Sequence, residues 1–455
     1  MTSSLMSIGA SGAMAAEIAL DVTGQNISNA STDGYVRRSA NTIEVASASS
    51  WSTANDVSLS GVTVSGITRN ADTFLESEAR RTASGTARAN STVTGLTDVE
   101  NAVENSGVFT TIGNFQNALT SLNQNPADPS LRATVIQDGQ TMASAFQIAA
   151  QGLSSTRSGI QDQLGQGVAQ VNTLTTQLAT INTQLSASAG GAAVAGNTTT
   201  SDRASLMDQR DSLLDQIGQY TDIATTINSD GTANVNIGGV SGPPLVTGSA
   251  ANTLTATVNS DGTEQLSVGN ANVALSGGSL AGNQTTLTKL DQISGDLDSL
   301  ASSIATTVNT QQAQGADLKG NPGAALFAGT TAATLVMATS DPSKIATAAA
   351  GSSANSADTT NLTALANALG TLGPANTMNA ILTDISGTVQ SAKTTQTTLQ
   401  TLSSAAATSL SSQAGVDLNT EAVNLVKFQQ AFQASGKVMQ VASDIFTSIL
   451  NLSAH

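Results

Sequence analysis

The sequence predicts a mainly α-helical chain with a β insertion, in which the two ends of the chain pair with each other. Apolar residues recur at helical spacing near both ends and in the middle. One internal stretch instead alternates apolar and polar residues, which is typical of strands. Charged residues make up only 11% of the 455 residues, against about 25% in ordinary globular domains. Such a weakly charged surface favours side-by-side packing of subunits.

The composition excludes several classes of function. The net charge is −16, which argues against nucleic acid and anionic lipid as partners, because both are bound mainly through Lys and Arg. The sequence has no Cys, so disulfides and thiolate metal sites are excluded. The hydrophobic fraction of 39% is sufficient for a core, but aromatic residues at 2% make that core aliphatic.

The C-terminal segment has the clearest periodicity. Apolar side chains recur every seven residues, and others widen the same stripe: Leu418, Leu425, Phe432, Met439 and Phe446, with Ala422, Phe428, Ala442 and Ile449. Asp417 is placed to cap the first turn. The pattern predicts a long amphipathic helix of coiled-coil character.

The N-terminal segment carries a weaker stripe with three-and-four spacing: Leu5, Ile8, Gly12, Ala15, Ala19 and Val22. Its small residues permit close approach of another helix. The helix is predicted to end near residues 31–34, where Gly34 can adopt a left-handed backbone. We expect the two terminal stripes to pack together or on other subunits.

Between the ends, several further elements are predicted. Residues 42–69 are expected to be extended, and a second helix to begin near Asp72. Heptad spacing and apolar stripes predict helices in three more segments: 164–185, 290–308 and 378–410.

The β insertion is predicted from alternation in residues 233–237 and 254–258. Two similar segments, residues 228–232 and 259–263, each read Asn-Ser-Asp-Gly-Thr and predict hairpin turns. Two low-complexity stretches, residues 186–200 and 346–360, are interpreted as flexible loops.

These elements predict a nested multidomain architecture. Residues 1–41 and 413–455 would form a coiled-coil-like terminal helical domain for assembly. A central helical-bundle domain would comprise 42–221, 284–323 and 360–412. A small outer β domain would comprise 222–283 and 324–359.

No catalytic, cofactor or metal site is predicted. The sole His is His455, at the chain end, and acyl-transfer triads therefore lack parts. Asp208, Asp211 and Asp215 share one helical face and are interpreted as a solvated surface balanced by Arg203 and Arg210. Residues 317–321 are interpreted as a plain turn, because they lack the alternating acids of a calcium loop. The sole Trp, Trp51, is expected to pack in an extended segment.

No targeting or membrane segment is expected either. The first residues lack the basic and continuous apolar regions of a secretory signal. No stretch of about 18 apolar residues is present, so no membrane insertion is predicted.

Residues 24–35 carry a specific motif that contains Asn26, Ile27, Asn29, Gly34 and Tyr35. It resembles the N-terminal signature of the rod, hook and hook-associated proteins of the bacterial flagellum. Four more stretches are similar to the hook-associated proteins of the hook–filament junction: residues 61–75, 128–132, 206–213 and 416–434. Arg38 departs from the Gln usual in the family. The β insertion matches poorly.

The resemblance implies an extracellular structural subunit that has no cofactor and no reaction and leaves the cell through the flagellar type III apparatus without a cleaved signal. It implies a ring of identical subunits, with hook protein below, a second junction protein above and an export chaperone on the C-terminal helix. The residues expected to serve assembly are those of the two stripes and the motif: Leu5, Ile8, Gly12, Ala15, Ala19, Asn26, Ile27, Asn29, Gly34, Tyr35, Leu418, Leu425, Phe428, Phe432, Met439, Phe446 and Ile449.

Other interpretations stay open at this point. The nearest alternative is a hook or distal-rod protein of the same family. A secreted adhesin would use the β insertion for binding and would not require heptads at the termini. A peptidoglycan hydrolase would require a pair of catalytic carboxylates, for which no motif is present.

Overall fold

The computed structural model describes residues 2–32, 34–46, 59–190 and 200–453. These residues are mainly helical with small antiparallel sheets, which confirms the predicted fold class. The helices are α1 (Thr2–Ser28), α2 (Thr73–Glu104), α3 (Val108–Leu122), α4 (Pro129–Gly190), α5 (Ser201–Tyr220), α6 (Gly278–Gln312), α7 (Thr360–Leu372), α8 (Pro374–Ala414) and α9 (Leu418–Ser453).

The strands are short, apart from the first two. They are β1 (Arg38–Ala46), β2 (Leu59–Arg69), β3 (Ile223–Ile227), β4 (Ala233–Ile237), β5 (Pro244–Thr247), β6 (Ala250–Ala251), β7 (Leu254–Val258), β8 (Glu264–Val268), β9 (Ala271–Val273), β10 (Gly315–Ala316), β11 (Phe327–Ala328), β12 (Val336–Met337) and β13 (Ala348–Ala349). The sheet orders are β1-β2, β3-β4-β5-β6, β7-β8-β9, β10-β13 and β11-β12.

The chain divides into two compact units. The first comprises Met1–Ala83, Val171–Thr253 and Gln400–His455, and the second comprises Ser84–Gln170 and Leu254–Leu399. In the first unit, α1 packs along α9, and the β1-β2 hairpin packs on α1. The three-domain division predicted from the sequence stays a prediction.

Three aspartates begin helices, because each carboxylate accepts hydrogen bonds from amides of the first turn. Asp72 Oδ1 accepts from the amides of residues 74 and 75 at 3.0 and 3.1 Å. Asp128 does the same at the start of α4. Asp417 accepts from the Asn419 amide at 3.0 Å, which confirms the predicted cap of α9.

The predicted stripes of the middle segments are buried. Leu164, Val171, Leu178 and Leu185 on α4 each expose at most 2% of their surface, and Leu290 on α6 is fully buried. Heptad spacing therefore identified the faces of these helices that form the core.

The two Asn-Ser-Asp-Gly-Thr segments form equivalent hairpin turns. In each, the Asp carboxylate accepts from the Thr amide and hydroxyl, and Gly231 and Gly262 have φ of 80° and 82°. In each, one Arg of a helix donates to the Asp carbonyl: Arg203 on α5 for the first turn and Arg157 on α4 for the second. The predicted turns are confirmed, and each is tied to a helix.

Residues 346–360 are not the flexible loop that composition suggested. Ala346 and Ala348 are buried, and β13 pairs with β10. The buried guanidinium of Arg132 holds this segment, because it donates to the Ile345 carbonyl at 2.8 Å and to the Thr347 hydroxyl at 2.9 Å. The composition of this segment predicted a flexible loop because composition carries no information about contacts with distant residues such as Arg132.

The predictions for residues 186–200, Trp51, His455 and residues 317–321 have different outcomes. Residues 186–190 continue α4, so the other low-complexity stretch is partly helical. Residues 191–199, Trp51 and His455 lie outside the described residues. Residues 317–321 form the predicted turn, with Asp317 Oδ1 accepting from the amides of residues 319 and 321.

One helical segment of the described chain, Leu5–Ser28, has the length and apolar composition of a membrane span, with a mean hydropathy of 1.3. No membrane segment was predicted from the sequence. It is weak evidence for a span, because core helices and N-terminal signals meet the same criterion.

Candidate functional site

Asn26, on the last turn of α1, joins three parts of the first unit. Its Nδ2 donates to the Arg38 carbonyl at 2.8 Å and to Glu421 Oε2 at 3.2 Å. Its Oδ1 accepts from the Tyr35 hydroxyl at 2.8 Å and from the Arg38 amide at 3.0 Å. A side-chain amide has two donors and two acceptor positions, and all four are used. Asn26 therefore links α1, the turn after it, β1 and α9.

The turn after α1 orders the rest of the motif. Asn29 Nδ2 donates to the Gln25 carbonyl at 2.9 Å. Gly34 has φ of 76°, as predicted. The Arg38 guanidinium lies 5.0 Å from the centre of the Tyr35 ring, a cation–π contact. Burial raises the pKa of the Tyr35 hydroxyl, so it stays a hydrogen-bond donor to Asn26.

Two of the three aspartates on the acidic face of α5, Asp208 and Asp211, do not lie on the solvated surface that was predicted, whereas Asp215 is 54% exposed. Asp208 accepts from Arg38 and Arg69 at 2.7 Å each, and Asp211 accepts from Arg69 at 2.8 Å and from Arg210 at 2.6 Å. The side chains of Asp208 and Asp211 are only 13% and 9% exposed. These contacts fasten α5 to the β1-β2 hairpin, because Arg38 and Arg69 face each other in its register.

Burial and ion pairing oppose each other in this network. Burial raises the pKa of the Asp208 carboxyl, and the two guanidiniums counteract it. Burial by itself lowers the pKa of the Arg69 guanidinium, but the carboxylates of Asp211 and Asp208 outweigh it and raise that pKa. Charges buried in this way are tolerated only because each is paired and hydrogen-bonded.

Arg203 is not the counterion of this face. Its guanidinium donates to the Leu185 carbonyl at 2.8 Å and to the carbonyl of Asp230. Arg210 pairs with Asp211 as predicted. Within the described ranges, no group of three His, Cys, Asp or Glu is arranged to hold a metal ion.

A carboxylate that the sequence analysis missed, Glu76 on α2, lies beside this network. Its Oε1 is buried and has no hydrogen-bond partner. Burial, and then the negative charge of Asp211, raise the pKa of Glu76 to about 7. Glu76 lines a cavity of about 570 Å³ together with Arg80, Asp211 and Asp215, and Arg80 donates to Asp215 at 2.9 Å.

The predicted terminal stripes meet over part of their length. Ala15, Ala19 and Val22 of α1 are buried. A Cβ added to Gly9 would lie 2.7 Å from the Met439 side chain, and one added to Gly12 would lie 2.7 Å from Ser435 Oγ. Small residues thus permit the close approach of α9. Ile8, Gly12, Leu425, Phe428 and Met439 are half-buried on the two helices.

Ala442 of α9 is also buried, but the larger stripe residues that remain face solvent. Leu418, Phe432, Phe446 and Ile449 are each between 43% and 55% exposed, and Leu5 of α1 is 39% exposed. Other exposed apolar side chains adjoin them in sequence: Val423, Val426, Val438, Val441, Ile445 and Leu450. At 100° per residue these side chains lie on more than one side of α9, and exposed apolar surface of this extent marks sites of interaction.

Sequence reasoning also missed the roles of Arg38, Arg69 and Glu421. Glu421 is 2% exposed and sits where Asn26 reaches it. One signal was available in the sequence, because Arg38 and Arg69 lie at the ends of extended segments. An Arg that is buried there requires an acidic partner, since Arg is seldom fully buried unless it is paired. Their acidic partners are more than a hundred residues away, so spacing could not identify them.

Comparisons with known proteins agree along the chain. The family model of the flagellar hook-associated protein FlgK helical domain matches residues 94–327, about half of the chain. The flagella basal body rod protein model matches residues 6–35. The flagellar basal body rod FlgEFG protein C-terminal model matches residues 409–452.

Several curated proteins are similar. Flagellar hook-associated protein 1 of Salmonella typhimurium is 28% identical over 339 residues, which are 71% of this chain and 59% of that protein. The Escherichia coli protein of the same name is 28% identical, over 72% of this chain and 60% of that protein. The Bacillus subtilis one is 28% identical over 48% of this chain and 43% of its own length. The chain thus spans about three fifths of the length of the first two relatives.

One solved structure, described as the flagellar hook junction protein FlgK from Burkholderia pseudomallei, is similar with a TM-score of 0.48 and 30% identity. The match covers 55% of this chain and 46% of that one.

Proposed function

Because the chain belongs to the flagellar hook-associated protein FlgK family, whose helical-domain model matches residues 94–327, we propose that it is a structural subunit of the bacterial flagellum at the junction between hook and filament. The observation that carries the proposal is the set of exposed apolar side chains along α9, a helix that packs on α1. Helices in proteins are stabilised mainly by packing of their apolar side chains, so the exposed ones of α9 are expected to be covered by another subunit.

The proposal includes the partners and the location of the protein. Identical subunits form a ring, with hook protein on one side and a second junction protein on the other. An export chaperone covers the C-terminal helix before assembly. The subunit functions outside the cell. It is exported through the flagellar type III apparatus without a cleaved signal, and it catalyses no reaction.

The residues proposed to serve assembly fall into two groups. The exposed ones, such as Leu418, Phe432 and Phe446, contact neighbouring subunits directly. The motif residues Asn26, which is buried, and Tyr35, which is half-buried, act by fixing the position of α1 against α9. The alternative of a hook or distal-rod protein is favoured only by the terminal matches at residues 6–35 and 409–452, and the longer match at 94–327 argues for the junction.

A strain that lacks the protein tests the proposal. We expect it to make hooks without filaments and to release flagellin into the medium. Complementation with Phe432→Asp should fail, because a charge enters the exposed apolar surface of α9. Phe109→Asp, at a Phe of similar exposure in the second unit (45% against 43%), should restore filaments. Normal filaments on the strain without the protein would contradict the proposal.

A further inference from the structure

The two terminal helices carry charges of opposite sign that are not paired within the subunit. The charged residues of α1 are both acidic, Glu17 and Asp21, and the cations of α9 are Lys427 and Lys437. All four residues are exposed. The ion pairs among the described residues involve none of them. The subunit therefore presents complementary charges to its surroundings.

The acids lie on the side of α1 that points away from α9. Gly12 marks the side toward α9, because a Cβ there would meet the Ser435 side chain. At about 100° per residue, Asp21 lies about 180° around the helix from Gly12, and Glu17 about 140°. Two exposed methionines share this side. The outer face of α1 is the set formed by these four residues: Met6, Met14, Glu17 and Asp21.

One flank of α9 combines a cation with β-branched side chains. Its members lie within about 60° of one another around the helix, and roughly 90° from Ser435, which contacts α1. Its apolar members are between 39% and 68% exposed. The exposed Phe432 is on the opposite flank. The valine flank of α9 is the set formed by these five residues: Val423, Lys427, Val438, Val441 and Ile445.

The antiparallel packing of α1 on α9 determines which residues share a height along the helices. Gly12 lies beside Ser435, and Asn26 lies beside Glu421. Each step forward along α1 is therefore level with one step backward along α9, because both helices rise about 1.5 Å per residue. By this count Lys427 is level with the segment from 17 to 21, and Val441 is level with Met6.

We infer that the valine flank of one subunit packs on the outer face of α1 of the next subunit. Lys427 pairs with Glu17 and Asp21 of that copy, and Val441 packs on its Met6. A thioether side chain is flexible and adapts to β-branched neighbours. The inference rests on the proposed function, since it requires identical subunits arranged around one axis.

The common height is the reason to expect a second copy of this chain as the partner. A rotation about an axis parallel to the helices leaves heights unchanged, so residues that are level within one subunit are also level between neighbours. In that arrangement the cation meets the acids and the apolar residues meet the methionines without any shift along the axis. The two surfaces are unlike, so the contact is head-to-tail, and such contacts generate rings when the rotation closes.

Reversal of the charges in separate copies tests the inference in a strain that lacks the native protein. Full-length Lys427→Glu should give about tenfold fewer filaments, because like charges then meet at every contact. Full-length Glu17→Lys/Asp21→Lys should give the same loss. Expression of both variants together should restore filaments, because opposite charges meet again between unlike copies. Pairing within one subunit could not be restored by mixing.

Lys437→Glu is the matched control for the charge reversal. Lys437 is an exposed cation of the same helix, but it lies outside the valine flank and is level with Ala10, not with the acids. The same change of charge there should leave the number of filaments unchanged.

Disulfide cross-linking tests the contact with the native charges in place, and the sequence has no Cys to interfere. In isolated flagella, Met6→Cys/Val441→Cys should give dimers and longer ladders on non-reducing gels, because a disulfide requires Cα atoms within about 7 Å. Met6→Cys/Ser443→Cys should give no ladder, since Ser443 is two residues further on and faces the opposite flank. All three positions are exposed.

The outcomes separate this inference from the proposed function. Normal filaments with Lys427→Glu alone, no rescue on expression of both variants, or normal filaments without a ladder for Met6→Cys/Val441→Cys would each overturn the inference and leave the proposed function intact. Normal filaments in the strain without the protein would overturn both.

Discussion

Replacing Glu76 by Gln should make the protein less sensitive to pH. The pKa of Glu76 is raised from 4.5 to about 7 because burial and Asp211 disfavour its charge. The folded chain therefore holds this proton more tightly than the unfolded chain does. The corresponding stability is full below pH 4.5, is lost as pH rises toward 7, and changes little above that.

The size of the effect follows from the difference in pKa. Each tenfold change in proton affinity corresponds to about 1.4 kcal/mol, so the upper bound is roughly 3 kcal/mol. Glu76 is only half-buried, and solvent screening reduces this to about 2 kcal/mol. Gln is neutral at every pH and resembles the protonated acid. The variant should match the native protein at pH 4 and be more stable at pH 8.

Urea unfolding followed by circular dichroism at the two pH values measures this difference. With an m value of about 3 kcal/mol/M, the midpoint of Glu76→Gln should lie roughly 0.7 M above that of the native protein at pH 8. Glu78→Gln is the matched control, because Glu78 is exposed and hydrogen bonding to Arg81 lowers its pKa. Equal pH dependence of the native protein and Glu76→Gln would refute the reasoning.

Two further substitutions test the buried polar contacts. Asn26→Ala should lower the free energy of unfolding by about 3 kcal/mol, because Glu421 loses a buried donor. Urea titration measures this loss, and a value below about 1 kcal/mol would contradict the role of Asn26 as a link between α1 and α9. Arg132→Lys should cost about 2 kcal/mol, since an ammonium cannot reach Ile345 and Thr347 together, and should speed proteolysis near residue 346. Unchanged proteolysis would argue against the role of Arg132 in holding Ile345 and Thr347.

Local patterns predicted the elements whose cause is local. The seven-residue repeats located α4 and α9, and Asp417 marked the start of α9 because capping depends on adjacent residues. Turn chemistry placed both hairpins for the same reason. These features depend on interactions within a few residues, which sequence spacing records directly.

The network around Asp208 could not be predicted in this way. A helical wheel shows that Asp208 and Asp211 share a face, but not that Arg38 and Arg69 lie over it. Long-range pairs of this kind depend on how the β1-β2 hairpin lies against α5. The same limit hid Glu76, whose raised pKa arises from burial among residues distant in sequence.

The hydrogen bond between Asn26 and Glu421 joins residues 395 positions apart, and this has a consequence for the order of events during synthesis. At about 5–20 residues per second, a ribosome makes Glu421 roughly 20–80 s after Asn26. During that interval α9, which packs against Gly9 and Gly12 of the first helix, has not been made. Closing so long a loop costs about 5 kcal/mol in chain entropy, so the contact forms late even in the finished chain. The contact between α1 and α9 therefore requires synthesis to have passed residue 421, and a chain truncated before that residue cannot make it.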